Sequence, residues 1–211
     1  MGIENIKRLK LLSKVEFEKS IDFKLNKRNI LVTFHPVTLE NSTAKEQFQE
    51  LLDAIDKLED TNIIFTKANS DTDGRVINQM IDEYVTKNFQ KSVQFTSLWQ
   101  LRYLSALQYV DAVVGNSSSG LAEAPSFRIG TINIGDRQKG RIKASSVIDC
   151  EANKNSIVKA FAKLYSKEFQ ETLKTTINPY GDGCASKKIV EILKNVNLKN
   201  ILKKSFYDLR G

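Results

Sequence analysis

Histidine and tryptophan each occur once in this 211-residue chain, cysteine twice and proline three times. His35, Cys150 and Cys184 stand far apart and in no CxxC or His-rich spacing, so no metal-ligand set can be assembled from them. Two cysteines outside any framework also argue against a structural disulfide. No apolar run approaches the ~20 residues that span a bilayer, and the N-terminus MGIENIKRLKLL is too short and too polar for a secretory signal. The expected setting is the cytoplasm, with no membrane partner. Internal repeats and low-complexity stretches are missing too, which sets aside solenoids and linkers.

What is present is ordinary for a folded domain. Hydrophobic residues make up 41% and charged residues 27% of the chain, and the length suits one sizeable core. The formal net charge is +7. Its lysines alternate with glutamates along helix-like segments instead of clustering with aromatics, so they read as solvated faces and no nucleic-acid partner is expected. A modest positive field still draws anionic ligands toward a site.

Residues 7–20 mix apolar and charged positions at helical spacing, and residues 1–28 read as a connector. From Asn29 the run NILVTFHP is continuously apolar and ends at Pro36, the pattern of a strand buried on both faces of a parallel sheet. In KEQFQELLDAIDKLED, Phe48, Leu51, Leu52, Ile55 and Leu58 fall on one helical face. The strand TNIIFT follows, then a helix with Val76, Ile77, Met80, Ile81 and Tyr84 on one face, then the short strand SVQFT. LWQLRYLSALQYV reads as helix, DAVV as strand, GTINIG as strand, SSVIDC as a short strand, NKNSIVKAFAKLYS as helix and ASKKIVEILKNV as a last helix after the turn NPYGDG. Strands alternating with helices, without hairpin signals, predict an α/β, Rossmann-like parallel sheet with helices on both faces, over residues 29–185. Residues 186–211 form a C-terminal helical segment whose apolar positions Ile189, Val190, Ile192 and Leu193 favour self-association into a homo-oligomer or docking to a partner half.

Ligands of such sheets bind beyond the carboxyl ends of the strands. Four loops lie there: FHPVT at 34–38, KANSDTDG at 67–74, GNSSSGLAEA at 115–124 and GDRQKGR at 135–141. Gly115 to Gly120 precede a short helix expected near Leu121. Free backbone N–H groups and hydroxyls there suit a diphosphate, and equally suit an N-capped turn. Glu123 either complements a helix dipole or accepts hydrogen bonds from a ribose. Arg137 and Arg141 either clamp phosphate oxygens or form a basic surface loop. His35 is either structural or an acid/base and phosphate group at a strand end.

In their order these segments, ILVTFHPVT, KANSDTDG, VVGNSSSGLAEAPSF, TINIGDRQKGR and NPYGDGCAS, resemble the UDP-N-acetylglucosamine 2-epimerase family, in particular its hydrolysing branch. The resemblance implies the C-terminal half of a glycosyltransferase-B type architecture, with UDP held by this half and the sugar between two domains. It implies that His35 contacts phosphate or takes part in catalysis, that Asn69 lies near the nucleotide, that Ser117 and Ser118 hold the diphosphate, that Glu123 binds the ribose and that Arg137 contacts phosphate. No cofactor and no metal are implied.

Family members run to nearly twice this length, so a Rossmann-like N-terminal domain bearing further carboxylates is the expected missing partner. The implied reaction removes the C2 proton of a UDP-sugar and eliminates UDP. Water then adds to the resulting glycal to give an N-acetylmannosamine-type sugar, as in sialic acid biosynthesis. Alternatives are a UDP-sugar-binding module without turnover and the C-terminal domain of a glycosyltransferase. A flavodoxin-like signalling domain would need an acidic cluster that the strand-end loops do not offer.

Overall fold

The apolar run at residues 30–34 faces two ways. Ile30, Val32 and Phe34 enter one hydrophobic cluster and Leu31 the other, as the two-residue period of a strand requires when both faces are covered. The computed structural model of the protein describes residues 2–36, 43–69 and 72–197. Val37 and Thr38 of the first strand-end loop, Ser70 and Asp71 of the second, and residues 198–211 of the C-terminal segment lie outside the described residues.

Six strands form one sheet: β1 (Arg28–Thr33), β2 (Thr61–Thr66), β3 (Ser92–Phe95), β4 (Ala112–Gly115), β5 (Gly130–Ile134) and β6 (Val147–Cys150). Their order is β3-β2-β1-β4-β5-β6, and every adjacent pair is parallel. This is the doubly wound Rossmann order. The α/β class, the parallel sheet and the helices on both faces are as the alternation predicts.

On one face lie α3 (Ala44–Ile55), α4 (Thr72–Lys87), α7 (Lys154–Leu164) and α8 (Lys167–Thr175), which bury Phe48, Ile77, Phe161 and Phe169 with Ile30, Phe65 and Ile132. On the other lie α2 (Lys14–Ile21) and α5 (Trp99–Ala106), burying Phe17, Ile21 and Leu104 against Leu31, Ile64 and Val113. Each fully buried Phe or Leu contributes about 1.5–3 kcal/mol. The predicted face of α4 is present in Ile77, Ile81 and Tyr84, whereas Val76 is exposed.

The chain departs from the sequence reading in three helices. Residues 7–20 are not one helix but the end of α1 (Gly2–Arg8) followed by α2. Ser13 restarts the chain through a capping box, its hydroxyl accepting from the Glu16 amide while the Glu16 carboxylate accepts from the Ser13 amide at 2.8 Å. Helix α8 is additional. It is capped by Ser166 and carries two buried side chains, Phe169 and Leu173, in nine residues, too few to show as a periodic stripe. The helix after β4 is α6 (Ser119–Ala122), a single turn continued by a 3₁₀ turn over Ala124–Phe127 that contains Pro125.

Helix α9 (Ala185–Asn195) has no buried residue. Its Ile189, Val190, Ile192 and Leu193 are 48–66% exposed, the apolar face expected of this segment. It is tied to α1 through Glu4, whose carboxylate accepts from the Ser186 amide at 3.3 Å and from the Ser186 hydroxyl. No helix among the described residues is long and apolar enough to cross a membrane.

Candidate functional site

The order of the sheet reverses at β1, which pairs with β2 on one side and β4 on the other. The helix following β1 packs on one face, while the turn following β4 places Ala124 in the cluster on the opposite face. The two connections therefore part, and the crevice between them is the natural ligand site of such a sheet. Gly115 makes the seam possible. Its φ is +130°, and a Cβ there would sit 2.0 Å from the Thr33 carbonyl oxygen. With no side chain in the way, the Asn116 amide reaches that same carbonyl at 3.2 Å.

A cavity of about 430 Å³ opens over this seam, within the size range of small-molecule sites. Thr33 and Thr66 form its base, their hydroxyls hydrogen-bonded at 2.5 Å. Thr96, Ser97, Trp99 and Tyr103 form one wall, and Ser117, Ser119 and Glu123 the other. The Tyr103 hydroxyl is hydrogen-bonded to that of Ser119, and burial pushes the Tyr103 pKa up, so its phenol stays neutral.

Trp99 at the rim is 74% exposed and has φ +52°. A left-handed conformation costs a non-glycine residue roughly 1–2 kcal/mol. Neither hydrophobic burial nor backbone preference explains this residue. It lines the cleft mouth.

Glu123 is at once the C-cap of the one-turn α6 and the N-cap of the 3₁₀ turn over Ala124–Phe127, where its side chain makes no capping hydrogen bond. Its carboxyl pKa is raised, with burial the leading cause, partly offset by a hydrogen bond with Ser119. A raised acid penalises the folded state only where it must ionise. The penalty begins as pH rises above the unfolded value near 4.5 and levels off above the folded one. Glu123→Gln should accordingly be more stable than wild type at pH 7, with the gain vanishing in acid below that value. Denaturant midpoints measured across pH 3.5–8 check this, and equal stability at all pH values would refute it.

The remaining strand-end residues are held around Asn116. His35 is half-buried just beyond β1, its amide donating to the Asn116 side-chain oxygen at 2.8 Å. Arg137 is exposed, and its guanidinium donates to the Asn116 carbonyl at 3.0 Å. Ser117 and Glu123 line the cleft, whereas Ser118 and Asn69 are exposed and outside its wall. Arg141 is exposed as well. The structure thus brings Ser117 and Glu123 into one cavity and His35 and Arg137 to the asparagine behind it. Sequence reasoning did not single out Thr33, Thr66, Trp99, Tyr103 or Asn116. For Trp99 a signal existed, since it is the lone tryptophan of the chain, four residues past the end of β3.

A doubly wound sheet with an open crevice at its switch point defines a nucleotide-binding-type α/β domain. The chain belongs to the UDP-N-acetylglucosamine 2-epimerase family, whose sequence profile matches residues 1–194. Similar proteins include a GDP/UDP-N,N'-diacetylbacillosamine 2-epimerase (hydrolyzing) of Campylobacter jejuni, 44% identical over 97% of this chain and 53% of that protein. Polysialic acid biosynthesis protein P7 of Escherichia coli is 38% identical over 99% of this chain and 53% of its own length. Among solved structures, S. aureus MnaA with UDP superposes with a TM-score of 0.67 at 19% identity, covering 92% of this chain and 51% of that one. The UDP-GlcNAc 2-epimerase of Neisseria meningitidis bound to UDP-GlcNAc gives 0.63 at 18% identity, covering 92% and 51%. These two likenesses establish the shared fold. The chain spans about half the length of the curated relatives it matches.

Proposed function

We propose that this chain is the nucleotide-binding half of a hydrolysing UDP-sugar 2-epimerase, and that the switch-point cleft holds UDP. The observation that carries the reading is that Ser117 and Glu123 line one cavity over β1 and β4, next to the Asn116 carbonyl that holds Arg137. In the proposed complex Trp99 and Tyr103 offer aromatic faces to the base and the Glu123 carboxylate accepts from ribose hydroxyls. The Ser117 and Ser118 hydroxyls and the Arg137 guanidinium hold the diphosphate with charge-assisted hydrogen bonds. Asn69 lies toward the nucleotide from the end of β2.

UDP leaves with one more negative charge than it bears in the sugar diester, so donors already aimed at its oxygens lower the barrier to elimination. His35 sits on the same side, as a phosphate contact or proton carrier. The remaining acid/base groups and the sugar pocket belong to a partner domain in this reading. Two of the relatives are named as hydrolysing epimerases of diacetylbacillosamine nucleotides, which supports a UDP-linked acetamido sugar as substrate, handled in the cytoplasm.

The test is proton NMR on the purified chain with UDP-N-acetylglucosamine, following saturation transfer to the uridine protons and any release of UDP over time. Transfer to the base and ribose protons is the expected result, and its absence would overturn the reading. Transfer without turnover identifies a binding half that needs its partner domain. Arg137→Ala should weaken UDP binding by about 10- to 100-fold, the range for a lost charged hydrogen bond, with the thermal midpoint nearly unchanged because the side chain is exposed. Unaltered affinity in this variant would remove Arg137 from the site.

A further inference from the structure

Asn116 is polar and only 1% exposed, and a buried amide is tolerated only when its hydrogen bonds are satisfied. Those bonds have an unusual distribution. The parallel register of β1 and β4 ends at Thr33 and Gly115, where the chain turns away at a φ of +130°. At His35, two residues beyond that end on the β1 side, the register of β1 with β4 has stopped. The Asn116 side chain takes that place: its oxygen accepts from the His35 amide at 2.8 Å and its nitrogen donates to the His35 carbonyl at 2.7 Å. The main-chain carbonyl of the same residue accepts from Arg137 Nη1 at 3.0 Å and from Gln138 Nε2 at 2.8 Å.

We propose that Asn116 is the positioning residue of the site, its side-chain amide setting the loop that carries His35 and its carbonyl setting the loop that carries Arg137. The inference rests on the reading of the cleft as a UDP site. The amide is required as an amide. A carboxylate of the same shape has no proton for the His35 carbonyl and would face it with like charge. The division of labour within one residue also has a consequence. Side-chain substitutions release His35 yet leave the carbonyl that holds Arg137.

A double-mutant cycle on the full chain separates this from a general structural role. UDP affinity is measured by calorimetry for wild type, Asn116→Ala, His35→Ala, Arg137→Ala and the two double variants containing Asn116→Ala. Asn116→Ala should weaken UDP binding about tenfold, a coupling of ordinary size between contacting residues. That loss should disappear in the His35→Ala background and persist in full in the Arg137→Ala background. An equal loss in both backgrounds would overturn the proposal. Should Asn116→Ala not fold, Asn116→Ser, whose hydroxyl can keep one of the two bonds, enters the same cycle.

A second readout needs no ligand. The chain has one histidine, so its ring protons and its amide are single, assignable NMR signals. Loss of the amide's acceptor in Asn116→Ala should move the His35 amide resonance and speed its solvent exchange, and unchanged signals would also overturn the proposal. Failure of wild type to bind UDP would instead remove the nucleotide reading, leaving the His35 signals to decide the role of Asn116.

Discussion

Gly115→Ala should destabilise the protein by about 4 kcal/mol or more, the range reserved for backbone strain and clashes that cannot relax. The new Cβ would lie 2.0 Å from the Thr33 carbonyl oxygen and 2.8 Å from its carbon, both backbone atoms of the central strand. No rotamer change relieves that contact, and the φ of +130° is itself one that side chains resist. Relief requires β4 to move away from β1, which breaks the Asn116 to Thr33 hydrogen bond and opens the floor of the cleft. Urea denaturation followed by circular dichroism measures the loss. A midpoint within a few tenths molar of wild type would show that the two strands do not approach so closely.

Phe17→Ala should cost about 3–5 kcal/mol, as deletion of a fully buried aromatic does, or a fall in thermal midpoint of roughly 6–20 °C for a chain of this size. Phe17 is 0% exposed on α2 and stacks on Tyr109 with ring centroids 5.9 Å apart and planes 29° from parallel. Val15, two residues earlier and 71% exposed, supplies the control, for which Val15→Ala should stay within about 0.5 kcal/mol. A small effect at Phe17 would mean that α2 is only laid against the sheet. The expected large one makes residues 14–21 part of the core that shapes the cleft from below, although they precede the first strand.

The strands and their parallel sheet were legible because burial on both faces leaves a plain mark: unbroken runs such as ILVTF, IIF and AVV separated by helix-length segments. Once the order is Rossmann-like, the location of the crevice follows from topology, and Ser117 and Glu123 could be placed near it before any coordinates. The break before α2 was also written in the sequence, in the spacing of Ser13 and Glu16, but was overshadowed by the helical periodicity around it. Helix α8 was harder, since Phe169 and Leu173 alone do not make a stripe. The role of Asn116 could not be read at all. Its partners are His35 and Arg137, and pairing between a side chain and a distant main chain has no periodicity or motif to reveal it. The helix expected near Leu121 is shorter than the reading implied, because Pro125 lacks an N–H donor: it closes after one turn, and Glu123 caps its end and the start of the 3₁₀ turn.

The seam beneath the cleft joins segments far apart in the chain, with Ile30 paired to Ala112 and Leu31 to Val113. Non-local parallel pairings of this sort are slow to form, because a long loop must close before any contact rewards it. The residues at 28–95 and those at 112–150 each build three strands, and only the β1–β4 seam makes one sheet of them. A ligand seated across that seam contacts both sides of it, so it acts as a clasp that favours the finished sheet over its separate halves. Occupancy of the cleft should therefore be legible as resistance of the whole sheet to unfolding, growing with the logarithm of ligand concentration.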